Sequence, residues 1–378
     1  MVSIATTVAQ GMERVNFDAL LDALHRLPRF ADVAPADLEP MRVTGLAHDH
    51  VSIRGRGILL RVPKQSQFGL DAATNLAYQA ACFERVSRSG HAPALHGVIP
   101  PSAAIPMGAL VVEQIDGRPP RLPEDLFALA DCMARIHALP LPSPEARAPL
   151  ADHRDPVGGA LAEIERQAAF LDDASLRPAA RAQIRDELAW ARRFGQEVGG
   201  QPIALVLTDT HPGNFLVDAG DKAVIVDLEK ALYGSPATDL AHATLYTSTT
   251  WDVASRAAPS IDEIAAFYRR YLHTVTPALG RHLAPWLVPM RRITFLRAIT
   301  WCVKWDVLHK HSRIADKHRR ASTEDWSAEN SDAALVAHVA DRVSEYLRPQ
   351  TIERIRAEWS ESRPLERLLE GPGPTRPA

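Results

Sequence analysis

The 378-residue chain is predicted to be an α+β protein with segregated elements, a smaller β-rich first part followed by a larger, mostly helical remainder. Three observations predict this. β-type runs concentrate before residue 115, helical periodicity dominates after it, and one short hairpin interrupts the helices near residue 220. The length exceeds what a single hydrophobic core usually spans, so two cores or one two-lobed unit are expected.

From Phe17 to Leu27 the residues Leu20, Leu21, Leu24 and Leu27 recur at helical spacing, and a Pro-punctuated connector follows to Pro40. Between Met41 and Pro63, Val51 and Ile53 alternate, Gly55-Arg56-Gly57 makes a turn, and Ile58 to Val62 returns as the second strand of a hairpin. Asn75 to Ser89 is read as a helix, stopped by Gly90 and Pro93. Ala109 to Ile115 is an apolar strand, closed by Asp116-Gly117 and Pro119-Pro120, where the lobe boundary is expected. Beyond it, Leu126 to Leu139, Gly159 to Leu171 and Ala179 to Phe194 carry mixed apolar and charged helical faces. Asn214 to Val217 and Ala223 to Val226 form two short strands around a turn containing Gly220, and helices resume near Thr238 and run to about Glu370. The divisions expected are residues 1–40 as helix and connector, 41–115 as a β-rich lobe with one helix, 116–370 as a helical lobe, and 371–378 as a disordered tail.

Composition narrows the class of function. An apolar fraction of 46% and a charged fraction of 24% are those of a globular chain, not of a disordered or fibrous one. A net charge of −3 supplies no basic footprint for nucleic acid or an anionic membrane, which leaves small-molecule partners. Cys82, Cys132 and Cys302 are widely separated and form no CxxC pair, so neither a disulfide framework nor a zinc site is indicated. The N-terminus lacks the charge and apolar run of a signal peptide, and no stretch of about eighteen apolar residues occurs, so a cytoplasmic protein is expected. Oligomeric state is not legible in the sequence.

Chemistry concentrates between Leu205 and Glu229. Asp209 is followed five residues later by Asn214 across a tight turn with Pro212 and Gly213, and Asp227 ends the apolar run AVIV after the hairpin. The hairpin folds Asp227 back toward Asp209, so two carboxylates and a carboxamide converge. Hard oxygen ligands of this kind suit Mg²⁺, and phosphoryl transfer from ATP needs little beyond positioning and charge neutralisation. On this reading Asp209 accepts the proton of a substrate hydroxyl, while Asn214 and Asp227 hold the metal.

These residues resemble the aminoglycoside phosphotransferase and choline kinase superfamily, small-molecule kinases with a protein-kinase-like two-lobed fold. The family's HxDxxxxN loop corresponds to Leu207 through Asn214, with HPGN at His211 to Asn214, and its DxE stretch to Asp227-Leu228-Glu229. The resemblance covers roughly residues 40 to 310. It implies Arg61, in LLRVPK, as the phosphate-binding cation, backbone contacts to adenine from Glu113 and Ile115 in ALVVEQIDG, and Glu229 as a further metal ligand. It also implies that Asp239, in SPATDLAHA, braces the catalytic loop. ATP and Mg²⁺ are then the cofactors, and a small-molecule hydroxyl is the acceptor. Two positions depart from the family: Leu207 replaces the loop histidine, and Gln79 stands where a helix glutamate pairs with the strand cation, with Glu84 as a less well registered alternative. No GxGxxG follows Met41.

Plainer roles exist for each residue. Asp209 suits a turn, Glu229 a solvated strand end, Asp239 a helix cap and Arg61 an exposed strand position. His211 has no HxH or HExxH partner to make it a metal ligand. Trp286, Phe295, Trp301 and Trp305 fit a helical core, with an amine-binding aromatic face as the other reading. A protein kinase is disfavoured by the absence of HRD, DFG and APE motifs, and a catalytically silent nucleotide-binding protein is the remaining competitor to a phosphotransferase.

Overall fold

The computed structural model describes residues 15–41, 48–197, 199–312, 333–360 and 362–370. The expected tail at 371–378 and the first fourteen residues lie outside this set.

Helix α1 (Phe17–His25) starts at Asn16, whose side chain accepts the Ala19 amide. Strands β1 (Leu38–Pro40), β2 (His48–Ile53) and β3 (Ile58–Pro63) follow, with Gly55 and Gly57 at φ +69° and +61° turning the β2–β3 hairpin. Helix α2 (Ala72–Val86) is capped by Asp71 and ends through Gly90 in the left-handed region. Strands β4 (Leu95–Ile99) and β5 (Ala109–Glu113) complete an antiparallel sheet of order β1-β2-β3-β5-β4.

The period of two along these strands gives the sheet two buried faces. Val51, Ile53, Ile58, Leu60 and Val111 pack against Leu20, Leu24, Phe30 and Val33, so the N-terminal helix and its connector belong to the core of the sheet. Leu110 and Val112 point the other way and join Leu76 and Phe83 of α2 in a second, larger core. Each such side chain contributes about 1.5–3 kcal/mol on full burial.

That larger core is built from the rest of the chain. Helices α3 (Leu126–His137), α4 (Pro156–Ala168) and α5 (Pro178–Glu197) come first. Four three-residue strands follow: β6 (Ala204–Val206), β7 (Phe215–Val217), β8 (Ala223–Ile225) and β9 (Leu232–Gly234), paired β6 with β9 and β7 with β8. Helices α6 (Pro236–Thr244), α7 (Tyr246–Thr249), α8 (Ile261–Thr274), α9 (Pro277–Leu283), α10 (Leu287–Ser312), α11 (Ala333–Tyr346), α12 (Pro349–Arg356) and α13 (Pro364–Glu370) close the lobe. Helix α10 buries Met290, Ile293, Phe295, Leu296, Ile299, Cys302 and Val303, residues from most of its circumference, and packs against α4 and α6 as a central helix.

The segregated α+β order is as expected. Strands β1, β4, β6 and β9 were not anticipated, because a three-residue strand is too short to show alternation and β4 carries Gly97 at a register shift. The β6–β9 pair matters most: it clamps the two segments that carry the candidate chemistry.

Candidate active site

The site grows out of the two small β pairs. Strand β6 delivers Leu207, Thr208 and Asp209, the β7–β8 hairpin returns the chain to Asp227, and β9 leads away after Lys230. Because β6 pairs with β9, the residue before one strand and the residue after the other are held side by side. Thr208 Oγ1 donates to the Lys230 carbonyl at 3.0 Å, and Lys230 Nζ lies 2.6 Å from Asp209 Oδ2.

Thr208 has φ +61°, an unusual conformation for a β-branched residue, and the surroundings over-determine it. The fully buried carboxylate of Asp239, one turn into α6, accepts the Leu207 amide through Oδ2 and the Thr208 amide through Oδ1, each at 2.7 Å. Thr210 Oγ1 donates to the Asp239 carbonyl at 2.7 Å. The helix cap at this end is Ser235, whose side chain accepts the Ala237 amide, so Asp239 is not the cap.

His137, the last residue of α3, places Nε2 3.0 Å from Asp239 Oδ2 and Nδ1 2.9 Å from the Tyr271 hydroxyl. An imidazole thus supports the loop from another element, while Leu207 is buried in the core. The sequence reading missed His137; its place at the end of a helix just before Leu139-Pro140 was the available signal.

Asn214 Nδ2 donates to the Asp209 carbonyl at 2.8 Å, closing the THPGN turn and leaving the amide oxygen uncommitted among the described residues. Gly213 is needed for packing: a Cβ there would meet Cβ of Asp252 at 2.8 Å, so only glycine lets the 250–256 loop approach the loop that carries Asp209. The His211 and His242 rings lie 6.5 Å apart, and the Nδ1 atom of each is buried without a hydrogen-bond partner among the described residues. Arg297 Nη2 approaches the Thr208 carbonyl at 3.5 Å.

Burial alone would raise the Asp209 carboxyl, but the Lys230 ammonium, with His211 and His242 beside it, outweighs that and holds the group well below the usual carboxylate range. Burial pushes His242 down to about 3 against the opposing field of Asp209. Three basic side chains and one carboxylate therefore share this end of the site.

Asp227 is a third exposed and pairs with Arg61, which also donates to the Val226 carbonyl at 3.3 Å. Arg61 is itself buried, with its guanidinium 5.8 Å from the Phe83 ring centre. The counter-charge for the strand cation therefore comes from the Asp227-Leu228-Glu229 segment, with Glu229 3.9 Å from Arg61, and not from α2. Gln79 instead donates to Glu229 Oε2 at 3.2 Å and contacts His48 Nε2 at 3.2 Å, and Glu84 is solvent-exposed.

Glu229 is buried among Gln67, Gln79 and His48, whose Nε2 is 3.1 Å away. Burial and the neighbouring Asp227 charge push its carboxyl up to about 8, against the pull of Arg61. Both its oxygens are thus engaged with the N-terminal lobe, whereas Asp227 Oδ2 and Asn214 Oδ1 have no hydrogen-bond partner among the described residues. A hard-cation site fits that pair of oxygens. No group of three His, Cys, Asp or Glu side chains arranged to hold a metal occurs among the described residues.

Glu113 ends β5, its amide and carboxylate both tied to the backbone of Ala94 at 2.9 and 3.1 Å. Two residues on, the Ile115 amide donates to no backbone carbonyl among the described residues, while Gln114 between them bonds Gly57. Of the helical aromatics, Phe295 is buried against Trp359, Trp286 packs edge-on to Phe194 and Trp305 is buried and stacked on His309. Trp301 is half-buried and meets Trp251 edge-on at 5.9 Å.

Comparison with known proteins bears on the family and the fold. The family model described as "Phosphotransferase enzyme family" matches residues 50–283, more than half of the chain. No curated protein matches the sequence. Among solved structures, a choline/ethanolamine kinase family protein from Mesorhizobium loti superposes with TM-score 0.54 at 17% identity, covering 94% of this chain and 99% of that one. Choline kinase from Cryptosporidium parvum Iowa II gives 0.55 at 15%, covering 93% and 99%. The GDP complex of wild-type aminoglycoside 2'-phosphotransferase-IIIa gives 0.53 at 15%, covering 86% and 98%. At such identities the likeness shows the fold, which is protein-kinase-like. No helix among the described residues is long and apolar enough to cross a membrane.

Proposed function

The chain belongs to the phosphotransferase enzyme family, and from that premise we propose that it transfers the γ-phosphoryl group of ATP to a hydroxyl of a small molecule in the cytoplasm. The observation that carries the reading is that the loop bearing Asp209 and Asn214 is pinned by Asp239 and joined to the strand end before Asp227, the Val226 amide donating to the Asn214 carbonyl at 2.9 Å.

In the proposed reaction the acceptor oxygen forms a bond to Pγ as the bond from Pγ to the bridging oxygen of ADP breaks, ADP leaving with the electron pair. The acceptor's proton passes to Asp209. Asn214 and Asp227 are proposed to hold Mg²⁺, which when bound neutralises charge on the phosphates. Glu229, the other carboxylate of the DxE stretch, is directed at Gln67, Gln79 and His48, and its share in metal binding requires those contacts to open. Arg61 is proposed to act on the nucleotide phosphates through Asp227, whose orientation it holds. The Ile115 amide, which donates to no backbone carbonyl among the described residues, and the Glu113 backbone are proposed as the adenine contacts, at the end of β5.

The acceptor class follows only coarsely. The proteins of like fold are named for choline, ethanolamine or aminoglycoside phosphorylation, and all those acceptors are small hydroxyl compounds, so the panel for testing begins with them. Purified protein with ATP, Mg²⁺ and that panel should yield phosphorylated product. Asp209→Ala should lower turnover by roughly 10²-fold or more, the usual share of a general base. Undiminished activity in that variant would remove the mechanism.

A further inference from the structure

We infer that Lys230 is a further catalytic residue, a cation that contacts the transferring phosphoryl group while holding Asp209 in line; the inference rests on the phosphotransferase reading above. Nothing in the motif positions assigns it a role, since it lies one residue beyond the Asp227-Leu228-Glu229 stretch.

The backbone fixes where Lys230 can reach. Thr208 Oγ1 donates to its carbonyl at 3.0 Å from the catalytic loop, and the next carbonyl, that of Ala231, accepts the Tyr78 hydroxyl of α2 at 2.8 Å. The start of the lysine stem is therefore held from both lobes, by Thr208 on one side and Tyr78 on the other. Its ammonium carries three N–H donors. Among the described residues Asp209 Oδ2, at 2.6 Å, is the one acceptor in hydrogen-bond range, and a third of the side chain remains exposed beside an Asp209 side chain that is 24% exposed. Donors are thus left over on the open side of the pair.

Charge supplies the second argument. The transferring group spreads negative charge over three oxygens as it passes between nucleotide and acceptor, and here it would travel between two carboxylates, Asp209 and Asp227. Arg61 neutralises one of them but is buried and bound to both Asp227 and the Val226 carbonyl, so its guanidinium faces the protein. Lys64 is committed to Asp49 at 3.1 Å. Lys230 is the ammonium placed against the catalytic carboxylate itself, with donors to spare. It transfers no proton; it remains charged throughout, and the acceptor's proton still goes to Asp209.

The competing account is a latch, in which Lys230 only caps Asp209 and must be displaced. Binding separates the two, because AMP-PNP and ADP differ in the terminal phosphate. Full-length wild type, K230M, K230Q and K230R are titrated calorimetrically with Mg²⁺·AMP-PNP and Mg²⁺·ADP, and ATP turnover is measured alongside. A contact to the terminal phosphate predicts that K230M and K230Q weaken AMP-PNP by roughly tenfold or more and ADP by less than about twofold, with K230R close to wild type; one charge-assisted hydrogen bond is of that scale. Turnover should fall through kcat by roughly 10²-fold with little change in KM for ATP.

Unchanged discrimination between the two nucleotides in K230M and K230Q, or faster turnover, overturns the role of Lys230 and leaves the proposed function standing. A wild type that binds neither nucleotide overturns both. Should K230M fail to fold, K230Q, which keeps a polar tip toward Asp209, decides alone.

Discussion

Replacing Asp239 with asparagine is the most discriminating perturbation of this site, because it keeps shape and removes one acceptor. The carboxylate now serves three donors: the amides of Leu207 and Thr208 at 2.7 Å and the His137 ring at 3.0 Å. With the amide oxygen in place of Oδ2, the Leu207 and His137 contacts persist, and an NH₂ group faces the Thr208 N–H. A hydrogen bond to a charged acceptor is worth about 1.5–3 kcal/mol. The left-handed Thr208 conformation is strained by roughly 1–3 kcal/mol in the wild type as well, so any relaxation of the loop in the variant offsets part of that loss and does not add to it. The net expectation is about 1–3 kcal/mol of local stability, or a roughly 5- to 100-fold rise in amide exchange if opening is local, at a factor of ten per 1.4 kcal/mol. Hydrogen–deuterium exchange of the peptide spanning residues 204–214 reads this directly, with ATP turnover falling in parallel. Exchange within threefold of wild type would show that Asp239 does not hold the loop, and the brace argument would be withdrawn.

Other expectations follow from buried charge. Arg291 is fully buried and bonds Glu358 at 2.5 Å, the Thr244 side chain at 2.7 Å and the Tyr268 hydroxyl at 3.3 Å, so Arg291→Met, which strands those partners, should cost about 3–5 kcal/mol in guanidinium unfolding without touching nucleotide affinity. An unchanged midpoint would count against that network. His242, held down to about 3 by burial, is neutral in the fold and titrates near 6.5 once unfolded. The unfolded chain therefore binds the extra proton between those values, and its contribution, fully present above pH 6.5, is lost as pH falls through that window at about 1.4 kcal/mol per unit. His242→Gln should flatten the acid limb of stability against pH; an identical limb in the variant would mean that another group carries it.

Much of the site was legible in the order of residues. Asp209, Asn214 and Asp227 are tied by a five-residue turn and a hairpin, contacts so local that spacing suffices to bring them together. The segregation of strands and helices was equally plain, since α2, α3 and α5 are long enough to display their period. Strands β6 and β9 were not, being three residues each, and their pairing across 25 intervening positions has no local mark. His137 was missed for the same reason: its contact with Asp239 joins residues about a hundred positions apart. Gln79 was noticed as a departure, yet its structural meaning, a hydrogen bond to Glu229 in place of a charge on Arg61, emerges only when α2 is seen against the DxE segment.

The sequence by itself determined the phosphotransferase motif, the two-part architecture and the side chains proposed for metal and base, because these depend on local spacing and periodicity. Tertiary structure decided how charge is shared among them. It paired Arg61 with Asp227, drew Glu229 into the N-terminal lobe and set Lys230 against Asp209. Electrostatic partnership is a matter of ångströms between residues distant in the chain, and burial changes its strength many-fold, so neither is written in the spacing of a motif.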